Sequence, residues 1–504
     1  MLYTFINFGV LLSISLFANA YGTSSEEYGG FSIVQSPDGG FVSVGGRLDP
    51  SFADEALAFK VNSTGQLVWQ RTYGPLMDSD EDVYSVDLTG DGGYVMAGMY
   101  GPPASADALV MKINSTGGLV WAKTFGGTSD DAAQCIIRTP DGGYAVVAFG
   151  MGASSADILF LKLNSTGGLT WGKRFGGPNW DYPNQVIRTS DGGYAIAGYT
   201  NIGVGNDDFL VLKTNSTGGL VWGRTFIGSS IDEASSIVET PDNGYIAVGG
   251  SWSFGAGSYD FLVIRLNSSG DLVWARTIGG SGSDWPNSII PAIDGGYVIA
   301  GSTTSYGTGG YDCFVVKIAE DGSVVWAYTF GTNGSDIAHD IIQTTDGGYA
   351  ITGYTYGLGA GGSDVLIIKF NADGTYPSCA IPCSPEITAV SLSSSSITWD
   401  ASYSPFLADQ PLNENNPTFS RASLCPPVSA EEGFPEHGIH YVRCVPFAGG
   451  LKFFSGEELE LTLYRPDGRL VYAGTISKGE NRIGLEQGVY FWRAGDFSGV
   501  SVVR

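Results

Sequence analysis

Acidic residues recur in this chain at a spacing that invites metal chemistry. Six stand ten positions before an Asp-Gly-Gly or Asp-Asn-Gly turn: Glu81, Asp131, Asp181, Asp232, Asp284 and Asp336. Glu27 holds the same place in a first unit, shifted by one residue. If they ring the mouth of a central channel, they offer the hard oxygen ligands that hold Ca2+. Asp78, Asp80 and Asp82 alternate as the first ligands of a calcium loop do, although Val83 stands where a glycine would turn the chain. The competing reading makes these acids loop caps and partners of nearby Lys and Arg. Two of them could instead cleave a glycosidic bond, which takes a carboxyl pair about 5–9 Å apart. Trp180, Tyr182 and Trp285 are unrepeated aromatics in the same stretches, suited to stacking on a sugar ring or anchoring a partner. His339 lies beside Asp336 and Asp340, but spacing alone assembles no Ser-His-Asp or metal triad.

The elements that must position these residues repeat. The turn Asp-Gly-Gly-aromatic begins at Asp38, Asp91, Asp141, Asp191, Asp294 and Asp346, with Asp-Asn-Gly-Tyr at Asp242. The spacings are 53, 50, 50, 51, 52 and 52 residues, which defines seven units. In the third unit, AQCIIRT, YAVVAFG, DILFLKLN and LTWGKRFGG read as strands separated by tight turns. Four antiparallel strands per unit, with nearly continuous apolar runs, predict an all-β, seven-bladed β-propeller over residues 21–383. The turns within one ring face, DGG and NSTGG, barely vary. The loops of the other face do vary, among them MYGPPASAD, SWSFGAGSYD, FGGPNWDYP and IGGSGSDWP, and a rigid frame with variable loops places binding there. The seventh unit has Ser378 where a tryptophan is due, so ring closure is expected from a degenerate outer strand clipped by Cys379 and Cys383.

Thr116-Gly117-Gly118-Leu119-Val120-Trp121 resembles the tryptophan-docking motif of pyrroloquinoline-quinone-type propellers, with copies ending at Trp69, Trp171 and Trp222 and looser ones at Trp274 and Trp326. The resemblance implies tryptophans that tie blade to blade. No adjacent cysteine pair or matching metal-ligand set accompanies it, so it implies no quinone. A large aromatic present in nearly every unit fills what every unit needs, an inter-blade seam. The same argument covers Asp107, Asp157, Asp208, Asp260, Asp312 and Asp364 at the starts of third strands, with Glu55 in the first unit. It also covers the cations five residues on, from Lys60 to Lys369, which are expected as caps and inter-blade partners. The repeats as a whole resemble bacterial exported propeller-repeat proteins rich in DGGY turns, a likeness that carries a fold and no activity.

The ends point outward from the cell. FINFGVLLSISLFA followed by Ala18-Asn19-Ala20 reads as a signal peptide over residues 1–20, and no later apolar run is long enough for a transmembrane span. The formal net charge of −26 argues against nucleic acid, whose phosphates demand a basic surface. Six cysteines suit an oxidising compartment, with Cys135 and Cys313 read as free and buried, and Cys425 expected to pair with Cys444.

After Cys383 the periodicity stops, and residues 384–430 read as a Ser/Pro/Asn-rich linker. Residues 431–504 return to strand patterns and predict a small β-sandwich. There LTLYRPDGRLVYAG, KGENRIGLEQGVYFWR and VSVVR resemble the C-terminal sorting domain of the type IX secretion system of Bacteroidetes-type bacteria. The matching residues are Gly468, Arg469, Asn481, Gly488, Val489, Tyr490 and the terminal Arg504. That resemblance implies recognition by the type IX machinery and passage to the outer-membrane surface or beyond. The expectation is a secreted or surface-displayed propeller that binds a glycan or a surface protein, with Ca2+ as the one cofactor suggested. A carbohydrate-active enzyme, glycoside hydrolase or lyase, and a structural surface component are the alternatives.

Overall fold

The computed structural model describes residues 16–376 apart from short loop stretches (24–25, 49–53, 75–79, 103–104, 152–154, 202–206 and 360–361). Beyond residue 380 it describes the strands and residues 383, 390 and 392. Seven antiparallel sheets follow one another around a central channel as a seven-bladed β-propeller, the first six built on four consecutive strands and the seventh on three consecutive strands and one from the N-terminus. The first strands are innermost: Gly29–Gln35, Asp80–Leu88, Asp131–Arg138, Asp181–Arg188, Asp232–Glu239, Asp284–Pro291 and Asp336–Gln343 touch their neighbours around the ring and line its cavity. Third strands are covered on both faces by adjacent blades. Ala156–Leu163 of blade 3 is accordingly buried at every position, which is why its sequence reads as an unbroken apolar run.

Two polar devices hold the invariant face. In the Asp-Gly-Gly turns the first glycine takes a positive φ, 80° at Gly142, and donates its N–H to Thr139 O at 3.0 Å. Blade 5 has Asn243 there, at φ 62°, the only non-glycine residue with positive φ among those described. Asparagine is among the few side chains that tolerate this region. The turn aspartates receive the third-strand cations of their own blade, Lys60 to Asp38 at 2.6 Å, Lys112 to Asp91 at 2.6 Å and Lys162 to Asp141 at 2.9 Å. Of the two expected roles, cap and inter-blade partner, these cations take the first, as a clamp on the turn of their own blade. In the second device, Asn114 Oδ1 accepts from Thr116 N (2.9 Å), Thr116 Oγ1 (2.8 Å) and Gly118 N (2.9 Å), and Asn62, Asn164 and Asn215 do the same, while Asp321 and Asp373 take over the hydroxyl in blades 6 and 7.

The repeated tryptophans sit at the seams. A Cβ added to Gly167 would stand 2.9 Å from Trp121, one on Gly218 2.6 Å from Trp171, and one on Gly270 2.8 Å from Trp222. Each indole therefore lies on the bare backbone of the next blade's NSTGG-type turn. Trp69 and Trp222 also donate Nε1–H to the turn carbonyls of Ser115 and Ser268, both at 3.2 Å.

Ring closure differs from the expectation. The outer strand of blade 7 is Phe17–Gly22, from the segment read as the end of a signal peptide, and it pairs antiparallel with Asp364–Phe370. All six residues are buried. Phe17 faces Lys369, as Trp69 faces Lys60 in blade 1, and its ring lies on Gly65 in the manner of the tryptophans. Tyr21 Oη donates to Gly65 O at 2.6 Å, copying Tyr73 Oη to Gly117 O at 2.6 Å. The strand was hidden because small and apolar residues suit both a peptidase site and a buried edge.

Strands between Ile381 and Ser423, all but the first within the segment read as a linker, add a fifth strand to every blade. Ile381–Pro382 pairs with the outer strand of blade 6, Glu386–Ala389 with blade 5, Ser393–Ile397 with blade 4 and Ala401–Ser402 with blade 3. Phe406–Asp409 then joins blade 2, Asn413–Asn415 blade 1, and Ser420–Ser423 pairs with Phe17–Gly22 in blade 7. The chain thus circles the rim and covers the exposed strand edges. Val390 and Leu392 pack onto the core of blades 4 and 5. Cys383 is a free thiol against the core of blades 5 and 6, so the expected clip to Cys379 is not made; Cys135 and Cys313 are free and buried. Cys379 and Cys425 lie outside the described residues.

A second unit begins at Val428. It holds a three-stranded sheet, Val442–Phe447, Gly450–Ser455 and Gly479–Gly484, and a four-stranded one of Leu470–Ile476, Leu459–Tyr464, Gly488–Ala494 and Phe497–Val503.

Tyr21→Phe should lower stability by about 1–3 kcal/mol, since the buried Gly65 carbonyl loses its short bond and keeps only Asn19 Nδ2 at 3.5 Å; a urea melt of the protein measures it. N-terminal sequencing of exported protein is expected to begin at or before Phe17, because a chain starting at Tyr21 keeps only two residues of the closing strand.

Candidate functional site

The acids that open the inner strands do not line the channel. Asp131, Asp181, Asp232, Asp284, Asp336, Glu27 and Glu81 are all buried at the seams, beneath the variable loops. Most cap the loop before them: Gly127 N reaches Asp131 Oδ2 and Gly177 N reaches Asp181 Oδ2, both at 2.8 Å, and Thr332 N reaches Asp336 Oδ2 at 2.6 Å. Hydroxyls of the second strand complete the set, Thr200 on Asp181, Ser251 on Asp232 and Thr303 on Asp284. Each such acid neighbours a third-strand acid of the preceding blade. A side chain on Gly126 would strike the carboxylates of both Asp107 and Asp131, and one on Gly279 those of Asp260 and Asp284.

Burial at these seams favours the protonated forms. It pushes Asp131 up to about 7, with the charges of Asp107 and Asp130 adding to it, Asp312 to about 7 and Asp181 to about 6. Among the described residues no group of three or more His, Cys, Asp and Glu side chains is gathered as a metal site. Asp78 lies outside the described residues. Asp80 opens the inner strand of blade 2, and Asp82 follows two residues later, accepting from Tyr84 Oη at 3.4 Å.

The variable face is instead distinguished by aromatic residues grouped around two other carboxylates. Trp180, 40% exposed in the loop before the inner strand of blade 4, stacks on Tyr182 with centroids 5.8 Å apart and planes 10° apart. Tyr182 continues the stack onto Tyr199 at 5.0 Å and meets Phe149 of blade 3 at 5.0 Å. A second group stands at blades 5 and 6, where Trp252, 52% exposed, meets Tyr259 at 5.0 Å and Tyr259 meets Trp285 at 4.7 Å. Trp285 fits against Gly250, where a Cβ would stand 2.5 Å from its ring.

Glu233 belongs to the strand between these groups. Its charge is felt by Tyr199 on one side and Tyr259 on the other. Burial, then the nearby Asp207, pushes it up to about 7, and Asp207 is raised by burial as well. Two half-buried carboxyls flanked by half-buried phenol rings, each group with one exposed indole, can accept hydroxyl hydrogen bonds while the rings cover apolar faces.

Spacing had picked out Trp180, Tyr182 and Trp285. It missed Trp252, Tyr199, Tyr259, Glu233 and Asp207. Glu233 immediately follows a seam acid, a position held elsewhere by Tyr28, Asp82, Ala132, Tyr182, Trp285 and Ile337. Comparing the units position by position would have exposed that variability. Of the residues matched in the tail, Asn481 lies in the strand Gly479–Gly484 and Gly488, Val489 and Tyr490 open Gly488–Ala494. Gly468, Arg469 and Arg504 lie outside the described residues.

The raised acids set a pH dependence. A carboxyl whose folded pKa exceeds its unfolded value stabilises the fold below the unfolded value and loses that contribution as pH rises through the folded one. Asp131, Asp181, Asp312 and Glu233 act in this sense between about pH 4 and 7. His339, held down to about 4 by burial, acts in the opposite sense but alone. Tm is expected to be higher at pH 5 than at pH 7.5, and Glu233→Gln should shrink the difference in a calorimetric series.

Comparison with known proteins agrees with the propeller. Residues 240–272 match a family described as a domain of unknown function (DUF5122) beta-propeller. No curated protein matches the chain. Among solved structures, the polysaccharide lyase Uly1 is 12% identical with a TM-score of 0.45, over 68% of this chain and 90% of that one. Sqt1 from Chaetomium thermophilum is 12% identical with a TM-score of 0.41, over 68% and 84%. PorZ, a surface component of the type-IX secretion system of Porphyromonas gingivalis, is 11% identical with a TM-score of 0.45, over 94% of this chain and 59% of its own.

Proposed function

We propose that this protein is a secreted or surface-displayed propeller that binds a glycan on its variable face. The observation that carries the reading is the pairing of two aromatic groups, Trp180–Tyr182–Tyr199 and Trp252–Tyr259–Trp285, each ending in one exposed indole, with Glu233 and Asp207. None of these residues is required by every blade, so the seams do not explain them. A sugar chain laid across the face would stack on the indoles and hydrogen bond to the carboxyls.

Binding to a polysaccharide panel tests this, with Trp180→Ala and Trp252→Ala as variants. Each should weaken binding about tenfold, equivalent to about 1.4 kcal/mol. Unchanged affinity in both variants removes the aromatic groups from the reading. Selective capture of a surface protein, with no glycan bound, would move it to a protein partner. Repeating the titrations with a chelator tests a calcium contribution from Asp78, Asp80 and Asp82.

A second reading, glycan cleavage, is favoured by one observation. Glu233 is held near neutrality beside Asp207, as an acid-base residue would need. Product release from a bound glycan, abolished in Glu233→Gln with binding retained, would establish it.

For export, the resemblance of residues 431–504 to type IX sorting domains supports delivery to the outer-membrane surface after passage through the inner membrane. In a host with that system, a chain ending at Pro427 should remain in the periplasm while the full chain reaches the surface.

A further inference from the structure

Each inner strand carries an irregularity in its pairing with the second strand. The register shifts between Val83 and Ser85, Ala133 and Cys135, Pro183 and Gln185, and at the equivalent place in the other blades. A bulge re-aims a side chain, and here it turns one residue per blade toward the channel. These residues line a cavity of about 320 Å3.

Sevenfold symmetry asks for seven like residues at the waist, and the chain does not supply them. Blades 7, 1 and 2 contribute rings, His339, Phe31 and Tyr84. Phe31 lies 5.1 Å from His339 and 5.5 Å from Tyr84 between ring centroids. Blades 3 to 6 contribute Gln134, Asn184, Ser235 and Asn287. The channel is therefore aromatic along one arc and amide and hydroxyl along the other.

The polar groups there are neutral or already occupied. Asp340 accepts from Ser32 Oγ (3.1 Å), Ile33 N (3.0 Å), Ser288 Oγ (2.9 Å) and Ile341 N (2.8 Å). Asp87 accepts the N–H groups of Leu88 and Arg138, both at 2.6 Å. Asn184 and Asn287 spend their Nδ2 groups on Ala234 O (2.7 Å) and Ala338 O (2.8 Å), which leaves their amide oxygens as acceptors. His339 Nε2 is buried without a hydrogen-bond partner, a cost that a bound hydroxyl would remove.

We propose that the waist of the channel is a binding site for one uncharged sugar ring. The ring stacks on the Phe31–Tyr84–His339 arc. Its hydroxyls meet His339 Nε2 and the amides of Gln134, Asn184 and Asn287. The volume is near the lower end for small-molecule pockets, enough for a single ring rather than a chain. The site shares no residue with the aromatic groups of the variable face, so it stands or falls separately from them.

Ligand-observed NMR on the full-length protein tests it, with glucose, galactose, mannose, xylose and N-acetylglucosamine as neutral probes and glucuronic acid as the charged one. At least one neutral sugar should bind, and Gln134→Leu and His339→Phe should weaken it about tenfold or more, with Trp180→Ala and Trp252→Ala unchanged. Gln134 carries the test if His339→Phe fails to fold, since no hydrogen bond ties its side chain to the protein among those identified. No neutral sugar bound at tens of millimolar by the folded protein overturns the proposal. So does binding indifferent to Gln134→Leu, or glucuronic acid bound as well as any neutral sugar. Loss of polysaccharide binding in the face variants with monosaccharide binding intact would separate the two sites.

Discussion

A blade of this protein has two apolar faces and no way to bury either alone. That constraint orders the rest of the structure. Each sheet can be covered only by the next, the next only by the one after, and the series ends only by returning to its start. The repeated contact that makes this work is an indole set on a glycine of the following blade, where any side chain would hold the two apart. At the last seam Phe17 substitutes for the indole, and Tyr21 supplies the same phenol-to-carbonyl bond found at the first. A closed ring of equal seams leaves little freedom at the seams themselves. What is free to differ lies on the loops and at the centre, and there the blades depart from one another.

Much of this was legible because the constraint writes itself into every unit. The Asp-Gly-Gly turns, the asparagine turns and the tryptophans repeat because each blade must turn and dock alike, and they gave the strand count and the blade count. The position of the inner-strand acids was legible, but not their direction. A carboxylate that caps the loop four residues behind it has the same spacing as one that points into a channel. Burial and the N–H of Gly127 decide the matter for Asp131, and neither is visible in spacing. The closing role of Phe17–Gly22 was not legible because FANA answers two descriptions equally well, a peptidase site and a buried edge. The rim segment was misread for a different reason. It contributes backbone hydrogen bonds to edges that already exist, so it needs no alternating pattern, and its Ser, Pro and Asn content looks like a linker.

The candidate site follows the same logic in reverse. Glu233, Trp252 and Tyr259 carry no periodic signal, which is what separates them from the seam acids and docking tryptophans. The asymmetry runs deeper than the loops. Blades 4 to 6 gather rings at the variable face, while blades 7, 1 and 2 gather them at the waist of the channel. The frame remains sevenfold beneath both, so each grouping rests on blades built alike.

The rim segment changes how such a ring can come apart. Wedges arranged in a circle normally fail like a barrel without hoops: one joint gapes and the staves fall outward. Here one segment lends a short strand to each blade from 6 round to 7 and so crosses six of the seven joints, running against the order in which the blades were laid down. A gap at any of those six joints must stretch or strip the hoop, so blades far from the gap resist it. The hoop is also the part of the propeller nearest in chain order to the C-terminal unit. A pull arriving from that unit is met first by the fastening at blade 7, where the hoop's last strand is paired to the closing strand, and would strip the rim one blade at a time before it reached a seam.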